Sequence, residues 1–405
     1  SGTDPVLTAT ATATAAPTTT ATDSEASPDP ASAVESPATE ADTTAPTSTS
    51  TSTSTTVASS PVPTVVPLSG WAAVDQYLEV TLIRGGSPAA SVAVLRDGEL
   101  QHQAAYGRRV AGEPVESTDR FRVASISKTI LAITALELVE DGVLSLDEPI
   151  GPLLAARLDV SNPAGGTEAL TVRQLVTHRS GFPQYENLFF RNEVATCPDA
   201  ARAGFVRPLQ SVPGTSFQYS NMNFCVLGIL IEQVTGAPYA QVVQEQVLAP
   251  LGITSMRTAG TFDIESNDVE HESAAGRNYM ETLGGAGAWL AAPTDLVTIL
   301  NSLDPNTGGP KVLESSTLDL MATITVTPPG ADDAADQEVS PTTVVPEPPT
   351  RGYGMGLMIF DAPLGAGRSV ATFGHTGTLE STHAMFVRRP DGISWAITIS
   401  GCLLY

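Results

Sequence analysis

From Gly70 to Arg84 the apolar residues Trp71, Val74, Leu78 and Leu82 recur every three or four positions, which gathers them on one helical face. The stretch that follows, SPAASVAVLRDGELQHQAAYGRRV, reads as two extended runs meeting at Asp97 and Gly98, a dipeptide that tolerates the positive φ of a tight hairpin turn. Between Ser125 and Asp141 the residues Ile126, Ile130, Leu131, Ile133, Leu136, Leu138 and Val139 leave almost no polar face, so this helix is expected at the centre of the fold, ended by Gly142. TVRQLVTH, FCVLGILIEQVTG and APYAQVVQEQVLAPLG each read as a helix closed by Gly or Pro, and AAPTDLVTILNSL adds another. Strand patterns then take over in YGMGLMIF, VATFGHTG, THAMFVRRP and, after Asp391-Gly392, ISWAITISGCLLY.

Strands at both ends with helices between them predict an α/β fold, in which an antiparallel sheet formed by both chain ends is flanked by helices. An all-α subdomain is inserted into it. The expected organisation is one domain over 68–405, with 68–141 and 285–405 as the α/β part and 142–284 as the mainly helical part. Residues 328–350, rich in acid and proline and lacking aromatics, read as a surface insertion.

Residues 1–67 change the picture at the other end. They are built from Thr, Ala, Ser, Pro and acids, with no aromatic, Lys, Arg or His, and include the tract TSTSTSTSTT. Such a segment buries too little to offset the entropy of ordering, so a disordered tail serving as spacer or O-glycosylated stalk is expected. A stalk suits an exported protein, extracellular or tethered to the cell envelope, whose signal peptide is not present in this chain. The net charge of -24 excludes nucleic acid and anionic membrane as partners, because both require a basic footprint. No apolar run approaches the roughly 18 to 20 residues of a membrane-spanning helix. Cys197, Cys225 and Cys402 show neither metal-ligand spacing nor a C-x-x-C pair, so no metal is expected. A Cys197–Cys225 disulfide and free buried thiols both fit the spacing.

The chain has only two lysines, Lys128 and Lys311, and the first stands in FRVASISKTI, three residues after Ser125. On a helix that spacing puts both side chains on one face, so the amine can reach the hydroxyl. Burial among Val123, Ile126 and Ile130 would favour the neutral amine that a general base requires, and arginine could not substitute because it keeps its proton. Two further patches fit acyl transfer. PGTSFQYSNMNF sets Tyr219, Ser220 and Asn221 before an apolar helix, and FGHTGTLE sets His375, Thr376 and Gly377 on a strand. A tyrosine beside a cation that lowers its pKa can act as base, an asparagine amide can hold a substrate carbonyl, and glycine lets substrate lie along the strand.

The trio SISK, YSN and HTG, with LTVRQLVTHRSGFP and LAPLGITSM, resembles the penicillin-recognising serine hydrolases, and within them the class C β-lactamase and D-alanyl-D-alanine carboxypeptidase group. The resemblance runs from about Leu68 to the last residue. It implies an acyl-enzyme on Ser125, proton transfer shared by Lys128 and Tyr219, and substrate contacts from Asn221, His375, Thr376, Gly377 and Thr378. It further implies an oxyanion hole from the backbone N–H groups of Ser125 and Thr378, and no cofactor. The implied substrate is an acyl-D-alanyl peptide first, an ester second and a β-lactam third. His375 stands where most β-lactamases have lysine, and a protonated His375 is expected to hold a substrate carboxylate. The segment LESTHAM departs from the family's usual glycine and aromatics. The family also continues into a helix after its last strand, so another segment or a longer chain is expected to cover that face of the sheet. A non-catalytic envelope protein of the same fold is the rival from another class, and the intact trio speaks against it. Outside the trio, His178 is read as a loop brace, while His102, His271 and His383 have no partner in the sequence. Neither G-x-G-x-x-G nor G-x-S-x-G occurs, which removes dinucleotide enzymes and α/β-hydrolases.

Overall fold

A computed structural model describes residues 70–109, 112–325, 351–361 and 371–401. The expected tail, the 328–350 insertion and Cys402 lie outside the described residues. Helix α1 (Trp71–Gly85) lays Leu78 and Leu82 on Ala90, Val92 and Tyr106 of the hairpin β1 (Ala89–Arg96) and β2 (Glu99–Gly107). Polar contacts fix its angle: Trp71 stacks on His102 at 4.5 Å, and Asp75 Oδ1 takes the Tyr106 hydroxyl at 2.5 Å and lies 2.8 Å from His102 Nε2. His102 therefore has a partner in space that its sequence neighbourhood does not show. The hairpin turns where expected, with φ of 51° at Asp97 and 88° at Gly98.

After β3 (Phe121–Arg122) comes α2 (Ile126–Glu140), buried on every side as its sequence predicts. Short helices follow: α3 (Gly151–Arg157), α4 (Val172–Val176), α5 (Glu186–Phe190) and α6 (Cys197–Phe205). The long α7 (Asn221–Thr235) precedes α8 (Tyr239–Val243), β4 (Arg257–Thr258), α9 (Tyr279–Leu283), β5 (Trp289–Ala291), α10 (Pro293–Ser302) and α11 (Ser315–Met321). The chain ends in β6 (Gly352–Tyr353), β7 (Met358–Asp361), β8 (Thr372–Leu379), β9 (Thr382–Arg388) and β10 (Ile393–Ser400).

The main sheet has seven strands in the order β2-β1-β10-β9-β8-β7-β6. β1 pairs antiparallel with β10 from Ala89 opposite Ser400 to Arg96 opposite Ile393, so the two ends of the domain close the sheet side by side. A smaller sheet, β3-β5-β4, lies at the start of α2. Its strands of two and three residues are too short to carry a readable period.

YGMGLMIF, expected as one strand, is two. The chain reverses between β6 and β7 through Gly356, whose φ is 69°. Its carbonyl accepts the Thr129 hydroxyl at 2.6 Å and its N–H donates to Val176 at 2.9 Å, so the reversal anchors the sheet to α2 and α4. Among the described residues no single helix is long and apolar enough to cross a membrane. On the face of the sheet away from α2, Phe360, Thr372, Met385, Val387 and Trp395 line an open groove of about 790 Å³.

Candidate active site

Ser125 stands at a break in the chain direction. Val123 donates to the Trp289 carbonyl of β5, Ala124 takes the left-handed φ of 49°, and Ile126 and Ser127 donate back to Val123 and Ala124. This tight turn presents Ser125 at the start of α2. It is the one partly exposed residue between Phe121 and Ile130, apart from neighbours that are all buried. Its own N–H donates to no backbone carbonyl among the described residues, as befits the first turn of a helix.

Lys128 is fully buried, with Nζ 2.9 Å from Ser125 Oγ and 2.8 Å from the Ala286 carbonyl. Burial without a carboxylate lowers its pKa to about 7. A neutral amine in this place spends one N–H on Ala286 and turns its lone pair to the serine hydroxyl. Ala286 lies in the stretch GGAGAW, which sequence reasoning did not place at the site.

Tyr219 meets this pair from the other side, its ring 5.1 Å from Lys128 Nζ. Burial raises its phenol above the ordinary value, and a hydrogen bond with Ser125 opposes that rise. The expected lowering by a neighbouring cation does not prevail: desolvation is the larger effect on the phenol, and the same burial leaves Lys128 only partly charged at neutral pH. Tyr219 is thus a protonated phenol at neutral pH.

Behind Tyr219 sits His178, fully buried in the left-handed conformation at φ 55°. Its Nδ1 accepts from the Ser220 N–H at 3.2 Å and from Asn223 Nδ2 at 2.9 Å, and its ring lies 4.3 Å from that of Tyr219. Burial, then Lys128 and His375, keep it well below its ordinary pKa and hence neutral. His178 braces the tyrosine loop through Asn223, a buried polar residue inside the apolar α7. That out-of-place asparagine is a signal the sequence offered and the motif reading passed over. Asn221 begins α7, partly exposed beside Tyr219, with Ser220 capping the helix by accepting from the Met222 N–H at 3.2 Å.

His375, expected to be a charged contact for substrate, is fully buried. Its Nδ1 lies 2.6 Å from the Thr376 carbonyl, which can only accept, so Nε2 takes the Tyr353 hydroxyl at 3.1 Å. Burial lowers its pKa to about 3. The expectation of a protonated His375 fails for this reason, and the ring acts as a neutral wedge between Tyr353 and Tyr219. Tyr353 was missed by sequence reasoning. The side chains of Thr376 and Thr378 alternate away from His375, towards Met358 and His383 on the opposite face, so only their backbone borders the site. Gly377 is where β8 meets the serine turn: a Cβ there would lie 2.2 Å from the Val123 carbonyl oxygen and 3.1 Å from Ala124 Cβ. The disulfide Cys197–Cys225 joins α6 to α7 one turn below Asn221. Among the described residues no cluster of His, Cys, Asp and Glu could hold a metal ion.

A nucleophile, a buried amine and a phenol converging on one hydroxyl define a serine hydrolase, and comparison with known proteins agrees. The family model described as Beta-lactamase matches residues 72–401, and the chain belongs to that family. Esterase EstB of Burkholderia gladioli is 29% identical over 80% of this chain and 87% of its own length. Protein flp of Staphylococcus aureus strain N315 is 27% identical over 49% of this chain, which spans only 40% of that protein. A D-stereospecific amidohydrolase from Streptomyces sp. superposes with a TM-score of 0.59 at 26% identity, covering 81% of this chain and 94% of that one.

Proposed function

We infer that the protein hydrolyses esters or amides that carry no terminal carboxylate, through an acyl-enzyme on Ser125. The observation that carries the substrate class is His375, fully buried and with a pKa lowered to about 3, which offers no charge to a carboxylate. Peptides ending in free D-alanine, the leading expectation from the motifs, lose their cation with it. Support comes also from the relatives, one named an esterase and one titled a D-stereospecific amidohydrolase.

In this reading neutral Lys128 takes the Ser125 proton as Oγ attacks the acyl carbon, while the N–H groups of Ser125 and Thr378 hold the developing oxyanion. Tyr219 donates its phenolic proton to the leaving alcohol or amine and is recharged by Lys128. Asn221 holds the acyl side, and β8 along Gly377 gives it a backbone to lie against. Water then reverses the sequence to release the acid. Two groups with opposite shifts, an amine pushed towards neutrality and a phenol held protonated, divide the base and acid work. The Cys197–Cys225 bond supports an exported protein, since disulfides persist in oxidising compartments.

The test compares 4-nitrophenyl butyrate with a peptide ending in D-alanyl-D-alanine. Measurable ester turnover that Ser125→Ala abolishes, with peptide cleavage at least 10-fold lower in kcat/KM, is expected. Preferred cleavage of the carboxylate-ended peptide would return the assignment to a carboxypeptidase.

A further inference from the structure

Beyond Gly377, β8 runs through Thr378 and ends at Leu379, and Glu380, three residues or roughly 10 Å of chain past Gly377, opens the turn that Ser381 makes at φ 51°. The same carboxylate lies near the Tyr279 phenol, whose hydroxyl accepts from Arg122 Nη1 at 2.8 Å, three residues before Ser125. Because Gly377 packs on Val123 and Ala124, Glu380 stands three residues along the chain from the contact between β8 and the serine turn. Facing it is the segment before α9, which is tied to the helical part: Arg277 Nη1 donates to the Phe190 carbonyl, Asn192 Nδ2 to Gly276 at 2.6 Å, and Asn278 Nδ2 to Val194 at 2.7 Å. Arg277 Nε lies 3.5 Å from Glu380 Oε2, a long ion pair between the end of β8 and this segment.

Both of those atoms are shielded from water, yet neither makes a hydrogen bond among the described residues. A carboxylate has about four acceptor positions, and this one meets a single distant cation that is already held by Phe190. Buried polar atoms without partners ask for an explanation, and a donor that arrives with the substrate supplies one. The side chain remains 33% exposed, so such a donor can approach.

We propose that Glu380 selects acyl donors carrying a primary ammonium group on the acyl side of the scissile bond. The proposal rests on the hydrolase reading above and narrows its substrates to aminoacyl esters and amides. Charge complementarity here comes from Glu380, while buried His375 stays neutral and contributes none.

Matched 4-nitroanilides test it: alanine against propionate and 4-aminobutyrate against butyrate, each with 4-nitrophenyl butyrate as the plain ester. At least one amino member should exceed its uncharged counterpart by 10-fold or more in kcat/KM. Glu380→Gln should bring that ratio close to one, and Glu380→Asp should retain part of it. The preference should fade as the amine loses its proton, near ~8 for an α-amine, a response that a merely structural latch would not give. A ratio near one in the wild type, with the plain ester still hydrolysed, overturns this proposal alone. A ratio that survives Glu380→Gln overturns it as well. No hydrolysis of any of these compounds overturns both it and the hydrolase reading.

Discussion

Lys128 shows how little of a residue's chemistry resides in its own side chain. Its amine ordinarily carries charge at neutral pH, and here burial with only Ser125 Oγ and the Ala286 carbonyl as partners brings its pKa to about 7. If the neutral amine is the base, kcat/KM on an ester should climb with pH through an apparent pKa near 7 and level off above it. The sign is fixed, because lowering the pH protonates the base and removes the lone pair. Lys128→Arg keeps a positive charge at all accessible pH and should cost roughly 10²- to 10⁴-fold in rate. A profile that is flat between pH 5.5 and 8.5 would contradict this. The pair itself was legible in S-x-x-K, and so was the depressed pKa, since an apolar helix around a lone lysine implies desolvation. Tyr219 was legible in place but not in state. Its expected activation by a cation required Lys128 to be fully charged, and the burial that makes Lys128 a base weakens that cation while raising the phenol's own pKa.

At the level of elements, periodicity located α1, the β1–β2 hairpin, α2, α7, α10 and the last three strands, because each is long enough to repeat its pattern. What it could not reach were pieces of two or three residues, β3, β4 and β5, and the reversal at Gly356, all fixed by partners distant in sequence. The HTG strand was also only half readable. Alternation says that His375 and Thr376 face opposite sides, but the packing against Val123 and Tyr353 decides which side meets the serine. The disulfide is the other long-range tie, holding α6 against the α7 turn that carries Tyr219 and Asn221 at its start. With its cysteines 28 positions apart, restraint of the unfolded chain should contribute about 3 to 4 kcal/mol. Replacing both cysteines by serine should therefore lower the denaturant midpoint and, because the unfolded chain can expand, steepen its slope, and should reduce ester turnover by loosening Tyr219. Unchanged stability in the double variant would show that the bond restrains nothing.

For the molecule as a whole, the sequence announced an α/β frame closed by its two ends with helices between, and β1 beside β10 is that closure. It announced the nucleophile too, since two of the three motifs meet at the Ser125 hydroxyl and the third packs on the turn that carries it. Substrate preference was less readable because it depends on which charges survive burial, as at His375, and on who faces whom across the opening, as at Arg277 and Glu380. The central claim is that Ser125 becomes acylated. The most direct measurement is intact mass after brief reaction with a fluorophosphonate or an activated ester, followed by peptide mapping. The account predicts one adduct per chain, on the peptide bearing Ser125, absent in Ser125→Ala and slowed at pH 5.5 as Lys128 gains its proton. Turnover of ester without an adduct on Ser125, or an adduct that persists in Ser125→Ala, would contradict it.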